Sequence, residues 1–174
     1  MAAISRSRRA TAGIAFIVAG AAIALAALLP FAGVSLPWLF LIGFAAVAIG
    51  LVILAIGAVN NVVAKIALIA GAIGWALLVL GGIGIALPAV VNTVAVILAA
   101  LGTLVGAIVL YTGREIVNTS AILFVITAII AAIYLLARLG LFPLAEFGTV
   151  VTIALGIGFV VTGVFFRQTE RGRR

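Results

Sequence analysis

Six apolar runs of about twenty residues follow one another along this chain, and nothing constrains its fold more. A helix rises about 1.5 Å per residue, so about 20 apolar residues cross a hydrocarbon core of about 30 Å. The runs fall near 11–29, 37–59, 63–86, 90–111, 119–138 and 146–166. They are too long for strands and lack the polar–apolar alternation of a membrane barrel. A soluble fold is excluded by composition. Of the 174 residues 68% are hydrophobic and 7% charged, against about 45–50% and about 25% in soluble domains. The sequence therefore predicts an all-α, polytopic integral membrane protein, with one transmembrane domain over 1–174.

The connections are short and carry helix-breaking residues. Pro30 and Pro37 bracket the first, Asn60 and Asn61 mark the second, and Pro88 lies in the third. Arg114 to Thr119 form the fourth and Gly140 to Pro143 the fifth. Proline and asparagine at such points fit helix stops and caps. Ser35 and Asn92 are expected to cap helix starts, and Trp38 to anchor a helix at the interface.

Charge sets the topology. Arg6, Arg8 and Arg9 open the chain, and Arg167, Arg171, Arg173 and Arg174 close it. Lys65 and Arg114 fall on the same side of the bilayer, whereas the connections after spans 1 and 3 hold no Lys or Arg. The positive-inside rule then places both termini in the cytoplasm, and six spans likewise require both on one side. The same arginines are expected to meet anionic lipid headgroups rather than nucleic acid. Ser7-Arg8-Arg9 before an apolar stretch also looks like a twin-arginine export signal. Ala10, Thr11 and Ala12 follow it without a bulky apolar pair, and an uncleaved first span is the reading adopted.

Inside the runs glycine recurs at seven-residue steps: Gly13 and Gly20; Gly43, Gly50 and Gly57; Gly74 and Gly81; Gly156 and Gly163. Seven residues make nearly two helical turns, so each set stays on one face. In lipid, helices associate by close van der Waals contact, which small residues permit. These glycines, with the Gly102 and Gly106 GxxxG pair, are thus expected to be helix-packing positions. Small residues also repeat along the chain, as Gly13/Ala67/Ala121, Gly20/Gly74/Ala128 and Gly50/Gly102/Gly156, at steps of 52 to 54 residues. They divide it into three helical hairpins, about 1–59, 60–113 and 114–174. Two-helix units start and end on one side, so successive copies share an orientation. Pseudo-threefold packing of the three hairpins is the expectation.

Chemistry is sparse. The chain has no cysteine and no histidine, which removes disulfides, thiolate metal sites and histidine-based catalysis. No metal site and no cofactor site is expected. Gly81-Gly82-Ile83-Gly84 has no adjacent lysine and lies in an apolar run, so it reads as a packing surface and not a phosphate-binding loop. Intramembrane ionisable groups, the usual mark of relays and ion paths, are nearly absent. Arg138 and Glu146 flank the last hairpin tip and could form a salt bridge there. Threonines 103, 112, 127, 149, 152 and 162 are the main polar residues in or near the spans. Their hydroxyls can bond a carbonyl one turn back. A polar pore would need several to converge.

The pattern Gly13-x6-Gly20, then Pro30 or Pro37, then Gly43-x6-Gly50-x6-Gly57, repeated along nearly the whole chain, resembles the HdeD-like family. These are small bacterial six-span membrane proteins made of tandem glycine-rich two-helix repeats. The resemblance implies the bacterial inner membrane and, from the namesake, a role in acid stress; no family active-site residue carries over. Two functional readings follow. One is a non-enzymatic structural or stress-associated membrane protein acting through helix packing, homo-oligomers or a membrane partner protein. The alternative is a small channel or facilitator for a neutral solute, with a wet cavity lined by threonines and glycine carbonyls.

Overall fold

The computed structural model describes residues 4–58, 61–114, 116, 118–141 and 147–168. Six α-helices occupy them: α1 (Arg6–Leu28), α2 (Trp38–Gly57), α3 (Val62–Gly82), α4 (Ala89–Thr112), α5 (Asn118–Arg138) and α6 (Gly148–Gln168). All six are long and apolar enough to cross a membrane. Most bounds lie within a few residues of the sequence expectation. The exceptions are the start of α1, which runs back to Arg6, and the end of α3, which stops at Gly82.

The helix ends follow local chemistry. Pro30 enters a four-residue 3-10 turn (Leu29–Ala32) that continues α1. Gly33 closes it at φ +74°, a left-handed conformation that disfavours a side chain. Gly84 and Gly140 do the same after α3 and α5, at +91° and +76°. Asn61 starts α3 by accepting a bond from the Ala64 amide at 3.0 Å. Ser35 and Asn92 do not act as caps. The residues before α2 and α4 are Pro37 and Pro88, and neither start has a side-chain cap bond. Asn92 lies inside the first turn of α4 and is exposed.

The helices form a closed ring. Each packs against its neighbours in the chain, and α6 returns to pack against α1. Two of the six seams bring backbone against backbone. In α1·α6, a methyl added at Gly13 would lie 2.6 Å from the Gly163 carbonyl oxygen, and one at Gly20 would strike the Gly156 carbonyl. In α3·α4, Gly102 faces Gly71, and a methyl at Gly74 would lie 2.6 Å from the Ala95 carbonyl. Three steps around the ring separate these seams.

The hairpin seams are therefore not equivalent, as a threefold arrangement would have them. On α2 the Gly43, Gly50 and Gly57 stripe does face another helix, but it receives side chains: Ile23, Phe16 and Ile4. Gly106 likewise receives Leu68. The α5·α6 seam brings Gly158 against Thr127. What recurs with the hairpins is the left-handed glycine after each odd helix. The pattern of close approach does not recur.

Candidate functional site

Inside the ring a run of aromatic side chains fills the space that a pore would need. It starts at Phe40 and Phe44 on α2 and passes to Trp75 on α3, whose ring centroid lies 5.0 Å from that of Phe44. Trp75 meets Phe159 on α6 edge-on, with centroids 6.5 Å apart. Phe16 on α1 continues the run, 5.6 Å from Phe159 and 5.5 Å from Phe124 on α5. Phe166 closes it near the end of α6, 5.8 Å from both Phe16 and Phe124. Trp75, Phe16, Phe124, Phe159 and Phe166 are fully buried, and five helices contribute to the run. Contacts of this kind are worth about 0.5–1.5 kcal/mol each beyond simple area burial.

The buried polar groups here are satisfied within the protein. Trp75 Nε1 donates to Thr103 Oγ1 at 3.1 Å, and that hydroxyl donates to the Ala99 carbonyl at 2.6 Å. Thr127 and Thr162 share a hydrogen bond of 2.9 Å between α5 and α6. Thr127 and Thr152 also bond carbonyls one turn back, at 2.9 and 2.7 Å. Thr149 is exposed, and Thr112, also exposed, bonds its own helix.

The basic residues gather at the end of the bundle that holds the start of α1 and the end of α6. Arg6, Arg8, Lys65, Arg114 and Arg167 are exposed there. Arg8 donates from a guanidinium nitrogen to the Ile56 carbonyl at 2.9 Å. That carbonyl lies in the last turn of α2, where a cation is favoured by the helix dipole.

At the opposite end the bundle opens into a vestibule of about 910 Å3. Its walls come from the start of α2 (Pro37, Trp38, Phe40, Leu41, Phe44), the end of α3 (Leu78, Gly81, Gly82) and the non-helical stretch Ile85 to Leu87. Ala89 and Asn92 at the start of α4 and Tyr134 and Arg138 at the end of α5 complete it. Tyr134 and Arg138 lie one turn apart on α5 and both line the vestibule. The aromatic run begins in the wall of this vestibule, at Phe40 and Phe44, and Trp75 packs against Phe44.

Several expected site residues change meaning here. Gly81 is not a packing position: it is exposed, lines the vestibule, and a methyl there would meet only Leu87 at 3.5 Å. Gly82, beside it, receives the Leu41 side chain. Two packing positions were missed in the sequence: Gly158, against Thr127, and Gly71, which falls outside the seven-residue beat yet faces Gly102. The signal for Gly71 was the Gly71-x-x-Gly74 spacing, which puts two glycines on one helix face. The salt bridge expected between Arg138 and Glu146 involves a residue outside the described ones. The vestibule itself was hidden because Gly81-Gly82-Ile83-Gly84 reads as helix, whereas the chain leaves α3 at Gly82. No family model, curated protein or solved structure matches the chain.

Proposed function

We propose that this chain is a non-enzymatic structural membrane protein of the bacterial inner membrane, with both termini in the cytoplasm. It acts by packing as a sealed bundle, alone or with copies of itself or a membrane partner protein. The observation that carries this reading is the aromatic run from Phe40 to Phe166, which leaves the ring without a continuous polar path. Interior threonines spend their hydroxyls on carbonyls, on each other or on Trp75, and so offer little to a passing solute. The basic residues at one end support cytoplasmic termini and contact with anionic headgroups. The HdeD-like glycine pattern supports a stress-associated role, which survival of a deletion strain in acid would test.

The reading of a neutral-solute facilitator has the vestibule in its favour, but Phe40 and Phe44 stand in the vestibule wall, with the buried Trp75 ring against Phe44. Liposome swelling separates the two. Proteoliposomes facing gradients of glycerol, urea and erythritol are expected to swell no faster than protein-free vesicles. Faster swelling that is lost in Thr127→Val and Thr162→Val variants would overturn the sealed-bundle reading.

A further inference from the structure

The vestibule combines features that the sealed core does not use. At about 910 Å3 it stands near the upper end of the range for small-molecule sites, about 300–1,000 Å3. Its deep wall is apolar: Phe44 and Leu78 are buried and Phe40 is half-buried. Its polar side chains are the Arg138 guanidinium, the Tyr134 phenol, the Asn92 amide and the Trp38 indole, and each can donate a hydrogen bond. No described acidic residue lines it. A guanidinium fork matches a carboxylate in geometry and charge, while the apolar wall has nothing to offer a hydrophilic ion. The cavity also lies at a helix-end level, beside the exposed indole of Trp38, which suits a ligand that arrives from the interface.

We propose that the vestibule binds a single-chain amphiphile with a carboxylate head, such as a long-chain fatty acid. Arg138 and Tyr134 hold the carboxylate, with Asn92 as a further donor from α4. The acyl chain lies against Phe40, Phe44 and Leu78. One guanidinium matches one negative charge, and the volume favours one chain over the two chains and larger head of a phospholipid. The site stands apart from the sealed-core reading, since an amphiphile could occupy it whether or not the bundle conducts.

Trp38 in the vestibule wall and fully buried Trp75 make the test optical. The full chain in phosphatidylcholine nanodiscs is titrated with 9,10-dibromostearate, whose bromines quench indole emission on contact. Quenching is expected to saturate at low mole fraction and to be lost in Trp38→Phe. Half-saturation should rise at least tenfold for Arg138→Gln, severalfold for Tyr134→Phe, and tenfold when the brominated alcohol replaces the acid. Arg114→Gln, at the other end of the bundle, should leave it unchanged. Quenching that rises linearly, equally for acid, alcohol and Arg138→Gln, would mean partition into lipid only and would overturn the proposal. Stronger quenching by a dibrominated phosphatidylglycerol would overturn the single-chain occupant. Saturation seen only in Glu146→Gln would show that the chain's own carboxylate takes the place of the ligand, and would overturn it as well.

Discussion

At Gly102 an added methyl would run into the amide of Gly71, and its other near neighbour is the Ala67 carbonyl at 2.7 Å. All these atoms are backbone, and backbone cannot turn aside. Gly102→Ala should therefore force α3 and α4 apart, at the overpacking cost of about 1–3 kcal/mol or more. Gly148→Ala is the matched control. It opens α6, has no heavy atom of the described residues within 4 Å of the added methyl, and has no left-handed φ to lose. Its stability in detergent, followed by the thermal midpoint, should stay the same or rise by the roughly 0.4–1 kcal/mol that a less flexible unfolded chain contributes. Equal losses in both variants would place the seam elsewhere. A second residue-scale prediction concerns Thr103. Replacing it with the near-isosteric valine leaves the Trp75 N–H without its acceptor in a buried site. The expected loss is about 1–3 kcal/mol from an unsatisfied buried donor. In a Trp38→Phe background the remaining emission should shift to the blue, and unchanged emission would mean that the 3.1 Å bond is not made. Threonine back-bonding was readable from single residues because it is local. The Trp75–Thr103 pair was not, because its partners are 28 residues apart and no pattern joins them.

The same division holds for helices. Length and hydropathy alone locate six spans, because a bilayer requires about twenty apolar residues and six stretches supply them. Their ends depend on partners that a linear reading cannot see. The arginines near the start of the chain read as a headgroup-facing tail, yet Arg6, Arg8 and Arg9 are the first turn of α1, and Arg8 reaches across to the end of α2. This contact predicts a local effect. Arg8→Gln should speed amide hydrogen exchange in the last turn of α2 by a few-fold, consistent with the roughly 0.3–1 kcal/mol of a cation at a helix C-terminus. Lys65→Gln is the control: this lysine is exposed in the first turn of α3, where the dipole disfavours a cation. Equal exchange in α2 for Arg8→Gln and the parent protein would remove Arg8 as a cap. Glycine also explains why the hairpin repeat did not foretell the seams. A residue without a side chain says that a neighbour can come close but not which neighbour. The sequence repeat named no partner helix for any glycine. Ring closure gave the first and last helices one of the two closest approaches.

For the whole molecule, what matters is that the two ends of the bundle differ in character. One end carries Arg6, Arg8, Lys65, Arg114 and Arg167 and has the entry of α1 and the exit of α6. The other carries the three left-handed glycines, the vestibule and Arg138. An even number of spans puts the entry of α1 and the exit of α6 on one side, and the basic excess should hold that side in the cytoplasm. The absence of cysteine makes this testable without first removing any native thiol. Single cysteines at Ser7 and Gln168 report the basic end; single cysteines at Val34 and Leu141, both exposed, report the vestibule end. In intact spheroplasts a membrane-impermeant maleimide should label Val34→Cys and Leu141→Cys, and should reach Ser7→Cys and Gln168→Cys only after permeabilisation. The reverse pattern would turn the bundle over and direct the vestibule to the cytoplasm. Its amphiphile would then have to come from the inner leaflet rather than the outer one. Labelling of all four sites in intact cells would mean that the bundle has no fixed orientation, and that the basic residues do not act as a positive-inside signal.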